Sequence, residues 1–441
     1  MVYDKMFTYV HTTGDIIEDN QKKLIDEYVD CYLFSLIAGL RQQNFGFDTL
    51  HRVTQEIIKY NQVLGTDRKF FVDSGGYSII AGDVKARSVA KFIECYNLFL
   101  ERDAPEHCDH IFSLDIPIFL KEPQFNTVKY ITEMNEKSIQ GSLAVIEKNP
   151  LLYDKFIFVW QHKMLNQYHV WKKLYEKNLA ANPKIKHFGV GGMVGLRGIT
   201  NIQFSPFISM AYKCLDLIEK KNLNELSIIH MLGIYGLHDR VIMAFIQRLF
   251  NKYYLKDNEC KVKITYDTVN YSLSGLYKLR EQVVIIPEND KYIWGYAHDL
   301  IDKLDRIIDN PEILDIIKRG LDNVNNGEQV DNTRISSMLN VITQIMIDRI
   351  IDKEIIENNI VDLFIQNSSF NSFKNKMNQI FQKLEYEYPL IFGNRTKKNL
   401  INFQYCYAFH QWWLEGRDPN KLEVLIEKFI KLINFPADLS I

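Results

Sequence analysis

The sequence predicts an α/β fold, a (β/α)8 TIM-like barrel over residues 1–295 with an additional all-α C-terminal region over residues 296–441. Three observations lead there. Between about residues 68 and 290, short apolar runs alternate with amphipathic stretches, the pattern of repeated β-α units. Most of these runs end in a carboxylate, a carboxamide or glycine, as strands do where a parallel sheet carries its chemistry. After about residue 297, long helix-patterned stretches take over without strand signals.

In chain order, Cys31–Leu40 reads as a first strand or a helix, since its periodicity fits both. The next strands are Lys69–Asp73, His110–Asp115, Lys155–Gln161, His187–Gly191, Ser227–Gly233, Lys261–Asp267 and Gln282–Pro287. The stretches between them read as helices. Ser88–Leu100 sets Val89, Phe92, Ile93, Tyr96 and Phe99 at helical spacing, and Leu237–Phe250 does so with Val241, Ile242, Phe245, Ile246 and Leu249. In the C-terminal region Ile301–Ile317, Ile335–Ile360, Ser369–Glu387 and Leu422–Ile433 read as helices, and Asp322–Thr333, rich in Asn, Asp and Gly, as a loop.

Composition excludes several classes. The chain has 441 residues, 46% of them hydrophobic, enough for a large core. A formal charge of -2 gives no global basic field, so nucleic-acid binding would need a local patch. Six scattered cysteines without a CxxC pair fit a reducing compartment and give neither a disulfide framework nor a clustered zinc site. The chain shows no secretory signal and no run of ~20 apolar residues, so a cytoplasmic location is expected.

The most informative stretch is Phe71-Val72-Asp73-Ser74-Gly75-Gly76-Tyr77. A buried run ends in a carboxylate, a hydroxyl, two glycines and an aromatic ring. The glycines let the backbone approach a flat ligand, and Tyr77 can cover a ring face. The competing reading is a tight turn in which Asp73 caps the next helix. A serine-protease reading of Asp-Ser-Gly-Gly fails because triads rest on geometry, and this chain has neither the disulfides nor the β-barrel pattern of those enzymes.

The other strand tips add to the set. They are Leu114-Asp115-Ile116-Pro117, Trp160-Gln161-His162, Gly189-Val190-Gly191-Gly192-Met193-Val194-Gly195, Met231-Leu232-Gly233-Ile234-Tyr235-Gly236 and Tyr266-Asp267-Thr268. In a barrel these tips converge on one face. Three carboxylates, a carboxamide and bare backbone would suit a planar heterocycle with donors and acceptors on its edge. Asp115 as a turn former and Gln161 as a core amide are the plainer alternatives. The glycine run lacks G-x-G-x-x-G spacing, which argues against a dinucleotide site.

Taken in order, these motifs resemble the tRNA-guanine transglycosylase superfamily over roughly residues 65–275. Asp73-Ser74-Gly75-Gly76-Tyr77 looks like its Asp-Ser-Gly-Gly-aromatic motif, and Leu114-Asp115 like its next aspartate. Trp160-Gln161-His162 resembles the Val-Gln-Gly strand end, and Val190-Gly191-Gly192-Met193 the Gly-Gly-Leu loop. Leu232-Gly233-Ile234-Tyr235-Gly236 resembles the Met-Gly-Val-Gly turn, and Tyr266-Asp267 falls where the nucleophile belongs. The resemblance implies a (β/α)8 barrel and a pentosyltransferase that exchanges guanine in a nucleic acid for a 7-deazaguanine base such as 7-cyano-7-deazaguanine. It assigns Asp267 as the nucleophile on C1′ and Asp73 to proton handling. It assigns base binding to Tyr77, Asp115, Gln161, Gly191, Gly192, Met193, Leu232 and Gly233. No cofactor is implied.

Two departures bear on the polymer. The Cys-x-Cys-x-x-Cys and His zinc site of the tRNA enzymes has no counterpart, since Cys406 is the only cysteine after Cys260, so no metal is expected. Thr268-Val269-Asn270 stands where a Pro-Thr-Arg-like sequence follows the family nucleophile. Both departures point to the DNA-directed branch, found also in bacteriophages. A tRNA-directed enzyme, a non-catalytic partner subunit and a base-excising hydrolase are the alternatives. The state of assembly, homo-oligomer or complex with a partner subunit, is left open. Arg395, Lys397 and Lys398, ahead of Phe403, Tyr405, Tyr407, Phe409, Trp412 and Trp413, form a candidate phosphate grip, and a solvated helix start is the plainer reading. Lys184, Lys186 and Arg197 are the next basic candidates, expected near the barrel mouth.

Overall fold

Eight parallel strands pair in chain order in the computed structural model: β1 (Thr8–Thr12), β2 (Cys31–Ser35), β3 (Lys69–Asp73), β4 (His110–Phe112), β5 (Phe156–Gln161), β6 (His187–Gly191), β7 (Leu226–Met231) and β8 (Lys261–Thr268). β8 pairs back onto β1, with Val10 opposite Asp267, which closes the sheet. The structure describes residues 8–12, 29–36, 47–64, 68–117, 121–161, 165–180, 182, 184–192, 205–221, 225–234, 236–256, 261–268, 282–289, 291–325, 332–366, 370–389 and 400–431.

The strands are buried on both faces, so they read as continuous apolar runs rather than alternating ones. Inward side chains, among them Val10, Leu33, Phe71, Phe112, Ile157 and Val159, fill the interior of the closed sheet. Their outward neighbours, such as Tyr32, Phe34, Phe70, Val72 and Ile111, pack under the helices. Successive side chains on a strand point to opposite faces, so one pattern serves both layers.

The longer helices between strands are α1 (Phe47–Leu64), α2 (Gly76–Ala81), α3 (Val89–Arg102), α4 (Val128–Lys148), α5 (Leu165–Asn178), α6 (Ser205–Lys220) and α7 (Leu237–Leu249), and a single turn at Ala104–His107 follows α3. α3 buries Val89, Phe92, Ile93, Cys95, Tyr96, Phe99 and Leu100, the stripe its sequence predicts. Among the described residues no helix stands between β1 and β2, and β8 is followed by a hairpin. The eightfold alternation is therefore incomplete within the described chain.

The structure departs from the sequence pattern at several points. Gln282–Pro287 is not a strand of the closed sheet. Its core forms β9 (Val283–Glu288), which pairs antiparallel with β10 (Lys291–Tyr296), as a turn of a few residues allows and a parallel neighbour would not. β1 takes a place in the closed sheet that no apolar run announces. Cys31–Leu40 resolves as a strand at Cys31–Ser35. Ile301–Ile317 is not one helix. A 3-10 turn at Ile301–Arg306 comes first, and α8 (Pro311–Asn325) starts at a proline, where the missing N–H costs nothing.

The remaining helices are α9 (Asn332–Glu357), α10 (Ile360–Ile365), α11 (Phe370–Glu387), α12 (Leu400–Leu414) and α13 (Pro419–Lys431). Ile360 belongs to α10 and not to the helix before it, because Asn359 takes a left-handed conformation at φ 49° and breaks the run. α9 packs on α7, while α12 and α13 pack on α6. α7 is consequently covered on both sides, and Val241, Ile242, Met243, Ala244, Phe245 and Ile246 are all buried. One apolar core runs through both layers, from Phe245 of α7 to Phe364, Phe373 and Phe403 of the C-terminal helices. No helix among the described residues is long and apolar enough to cross a membrane.

Candidate active site

Asp73 ends β3 and lies opposite Ser35 at the end of β2. Its Oδ2 accepts a hydrogen bond from the Gly75 N–H at 3.1 Å. That bond needs the chain to turn at once, and Gly75 does so at φ 93°, a conformation a side chain would oppose. Ser74 between them is buried, and its hydroxyl has no hydrogen-bond partner among the described residues. α2 starts directly afterwards and leaves Tyr77, in its first turn, 59% exposed at the rim.

Asp115 sits three residues beyond β4 and is held from the layer above. Asn135 of α4 accepts from the Ile116 N–H at 2.8 Å and donates to the Ile116 carbonyl at 2.9 Å. Ser138 of the same helix donates to the Leu114 carbonyl at 2.7 Å. Buried polar residues on an otherwise amphipathic helix thus clamp both neighbours of Asp115. The Gln161 carboxamide, at the tip of the adjacent β5, donates to Asp115 Oδ2.

Two glycines make room for this pair. A Cβ on Gly76 would stand 2.7 Å from Asp115 Oδ1, and one on Gly191 would stand 2.6 Å from Gln161 Nε2. Gly191 lies opposite Gln161 in the β5–β6 ladder, and Gly192 follows at φ 85°.

Asp267 completes the ring of carboxylates from β8. Its Oδ1 accepts from the Gly233 N–H at 2.9 Å and meets His230 Nε2 at 3.1 Å. Gly233 presents that N–H from a left-handed turn at φ 70° after β7. The Asp267 side chain keeps 14% exposure, so a ligand can reach it. Leu232, half-buried directly before Gly233, packs on the interior cluster.

These carboxylates sense one another. Burial pushes Asp73 up to about 7, and the charges of Asp267 and Asp115 push the same way against the Gly75 N–H and the Ser35 hydroxyl. Burial pushes Asp115 up to about 6, opposed by the Gln161 hydrogen bond. Near neutral pH Asp73 is therefore poised to give and take a proton. Asp115 and Gln161 offer an adjacent acceptor and amide to the edge of a planar ligand.

The structure thus brings Asp73, Asp115, Gln161, Gly191, Gly192, Leu232, Gly233 and Asp267 to the same ends of consecutive strands. Met193, His162, Arg197 and the basic cluster Arg395, Lys397 and Lys398 lie outside the described residues. Lys184 and Lys186 are not at this end. They precede β6, at the opposite end of the sheet, where Lys186 pairs with Asp154 at 2.7 Å and with Glu225. Of the aromatic run, Phe403, Phe409 and Trp412 are buried, and Tyr405 packs on Phe429. Among the described residues no three His, Cys, Asp or Glu side chains are grouped to hold a metal ion.

Ser35, Asn135, Ser138, His230 and Thr265 were not singled out in the sequence. His230 and Thr265 could have been, since Thr265 shares the inward face with Asp267 by strand alternation. The register that sets His230 opposite Thr265 is a property of the paired strands and not of either run alone.

No protein-family model and no curated protein matches the sequence.

Proposed function

We propose that this chain is a nucleic-acid base-exchange transglycosylase on a (β/α)8 TIM-like barrel, replacing guanine in DNA with a 7-deazaguanine base. The observation that carries the reading is the convergence of Asp73, Asp115, Gln161 and Asp267 at the strand ends, with Asp73 pushed up to about 7 by burial and by the other two carboxylates. That arrangement suits a glycosidic exchange because it separates a nucleophile from a proton carrier and a base reader.

In the first half-reaction an oxygen of Asp267 bonds to C1′ of the target sugar. The bond from C1′ to N9 breaks, and its electron pair leaves with guanine. Asp73 in its neutral form supplies the proton that guanine takes up. In the second half-reaction the incoming 7-deazaguanine returns a proton to Asp73, its N9 bonds to C1′, and Asp267 leaves as carboxylate. Proton and charge are restored over the cycle. Asp115 and Gln161 hold the edge of either base, Tyr77 covers one face, and Leu232 supports the other. The target nucleotide must leave the stack to reach these groups.

The test is mass spectrometry of nucleosides from DNA and tRNA of cells that make the protein and receive 7-cyano-7-deazaguanine. A 7-deazaguanine deoxynucleoside is the expected result. Modified tRNA with unmodified DNA would move the reading to a tRNA-directed enzyme, and neither product would overturn it.

A further inference from the structure

We infer that His230 is the positioning residue of the nucleophile: it fixes Asp267 so that Oδ1 is held and Oδ2 is left to form the bond to C1′. The inference rests on the transglycosylase reading and adds a residue to it. β7 and β8 set His230 directly opposite Thr265. Strand alternation turns Thr265 and Asp267 to the same inward face, so one imidazole spans both. Its Nδ1 lies 2.8 Å from Thr265 Oγ1 and its Nε2 lies 3.1 Å from Asp267 Oδ1.

The hydrogens follow from the partners. A carboxylate only accepts, so Nε2 carries the hydrogen given to Asp267, while the Thr265 hydroxyl, which can donate or accept, satisfies Nδ1. The ring is fully buried, with Phe112 edge-on at 4.7 Å and Phe71 at 6.0 Å. It cannot turn without displacing them.

Two donors, His230 Nε2–H and the Gly233 N–H, therefore converge on one oxygen of Asp267. Among the described residues no hydrogen bond engages Oδ2. In the glycosyl ester, Oδ1 becomes the carbonyl oxygen and can keep both donors. In the second half-reaction the same donors meet the carboxylate charge as it returns, a preorganised arrangement of the oxyanion-hole kind. His230 acts on both steps without touching the sugar or the base.

Exchange of radiolabelled guanine into guanine-containing DNA and tRNA tests this in wild type, His230→Leu and His230→Gln. His230→Leu fills the space without a donor and should lower kcat by about 10²-fold with KM little changed. His230→Gln carries an amide N–H of similar reach and should recover most of the loss. A merely structural role would instead lower thermal stability and move both variants together, and if His230→Leu does not fold, the Gln variant and the spectra carry the test. Wild-type exchange with an unaffected His230→Leu would overturn the inference and leave the proposed function standing. Absence of wild-type exchange on both polymers would overturn the proposed function. Nitrogen-15 spectra of labelled histidine read the His230–Asp267 bond without any activity. The ring signal lost in His230→Gln should report hydrogen on Nε2 and should shift in Asp267→Ala. A signal indifferent to Asp267→Ala would overturn the inference whatever the exchange assay gives.

Discussion

The phenol of Tyr266 donates to Asp348 at 2.6 Å, which anchors the residue directly before Asp267 in the C-terminal helical layer. Alternation along β8 turns Asp267 into the sheet and Tyr266 out towards α9. Arg240 of α7 meets the other oxygen of Asp348 at 2.9 Å, with both side chains almost fully buried. The strand that carries the proposed nucleophile is therefore braced from outside by a charged pair.

Breaking that pair from one side should be costly. Arg240→Leu leaves the Asp348 carboxylate buried without its counter-charge, and a loss of about 3–5 kcal/mol is expected in urea unfolding. Arg240→Leu with Asp348→Leu should lose less than the single substitution, because no charge is then stranded. Equal losses would assign the effect to packing alone.

Asp73 ties stability to pH. Its folded value, pushed up to about 7, lies above the ordinary carboxylate value of 3.8, so the folded protein holds the proton more tightly than the unfolded chain. The stability this provides is fully present below the unfolded value and is lost as pH rises from about 4 through about 7. Asp73→Asn removes that loss. The variant should gain on wild type by on the order of 1–2 kcal/mol between pH 4 and pH 8, less than full linkage gives, because Asp73 is partly open to solvent. A difference that stays flat over this range in paired unfolding curves would contradict the shift, and exchange activity should be lost at every pH.

Gly191→Ala tests the proposed base-reading pair, Asp115 and Gln161. Its Cβ would stand 2.6 Å from Gln161 Nε2, so the carboxamide must swing away from Asp115. A rise in KM for the base of roughly 10-fold or more is expected, corresponding to one charge-assisted hydrogen bond. An unchanged KM would show that Gln161 does not read the base.

Much of this architecture was legible because strands buried on both faces leave long apolar runs, as at Phe156–Gln161, and because glycine and aspartate cluster where those runs end. β1 was not legible, since a five-residue strand of Thr-Tyr-Val-His-Thr has no apolar run to show. Gln282–Pro287 was legible as a strand but not as half of a hairpin, because an apolar run does not name its partner. Asp73, Asp115 and Asp267 stood out as strand tips. Their supports did not, since Asn135 and Ser138 look like ordinary polar positions on α4 until α4 is laid over Leu114–Ile116. The bracing of Tyr266 by Asp348 spans 82 residues of chain, a distance over which sequence pattern carries no information.

The central claim is a covalent bond between Asp267 and the target sugar. Wild-type protein and Asp267→Asn, both checked for native secondary structure, would be incubated with a guanine-containing DNA oligonucleotide, quenched in denaturant and weighed intact. Wild type should gain the mass of the oligonucleotide less one guanine, with the adduct mapped by proteolysis to Asp267, and the near-isosteric Asn variant should gain nothing and exchange no base. An adduct at another residue, or exchange by Asp267→Asn at a rate close to wild type, would contradict the mechanism.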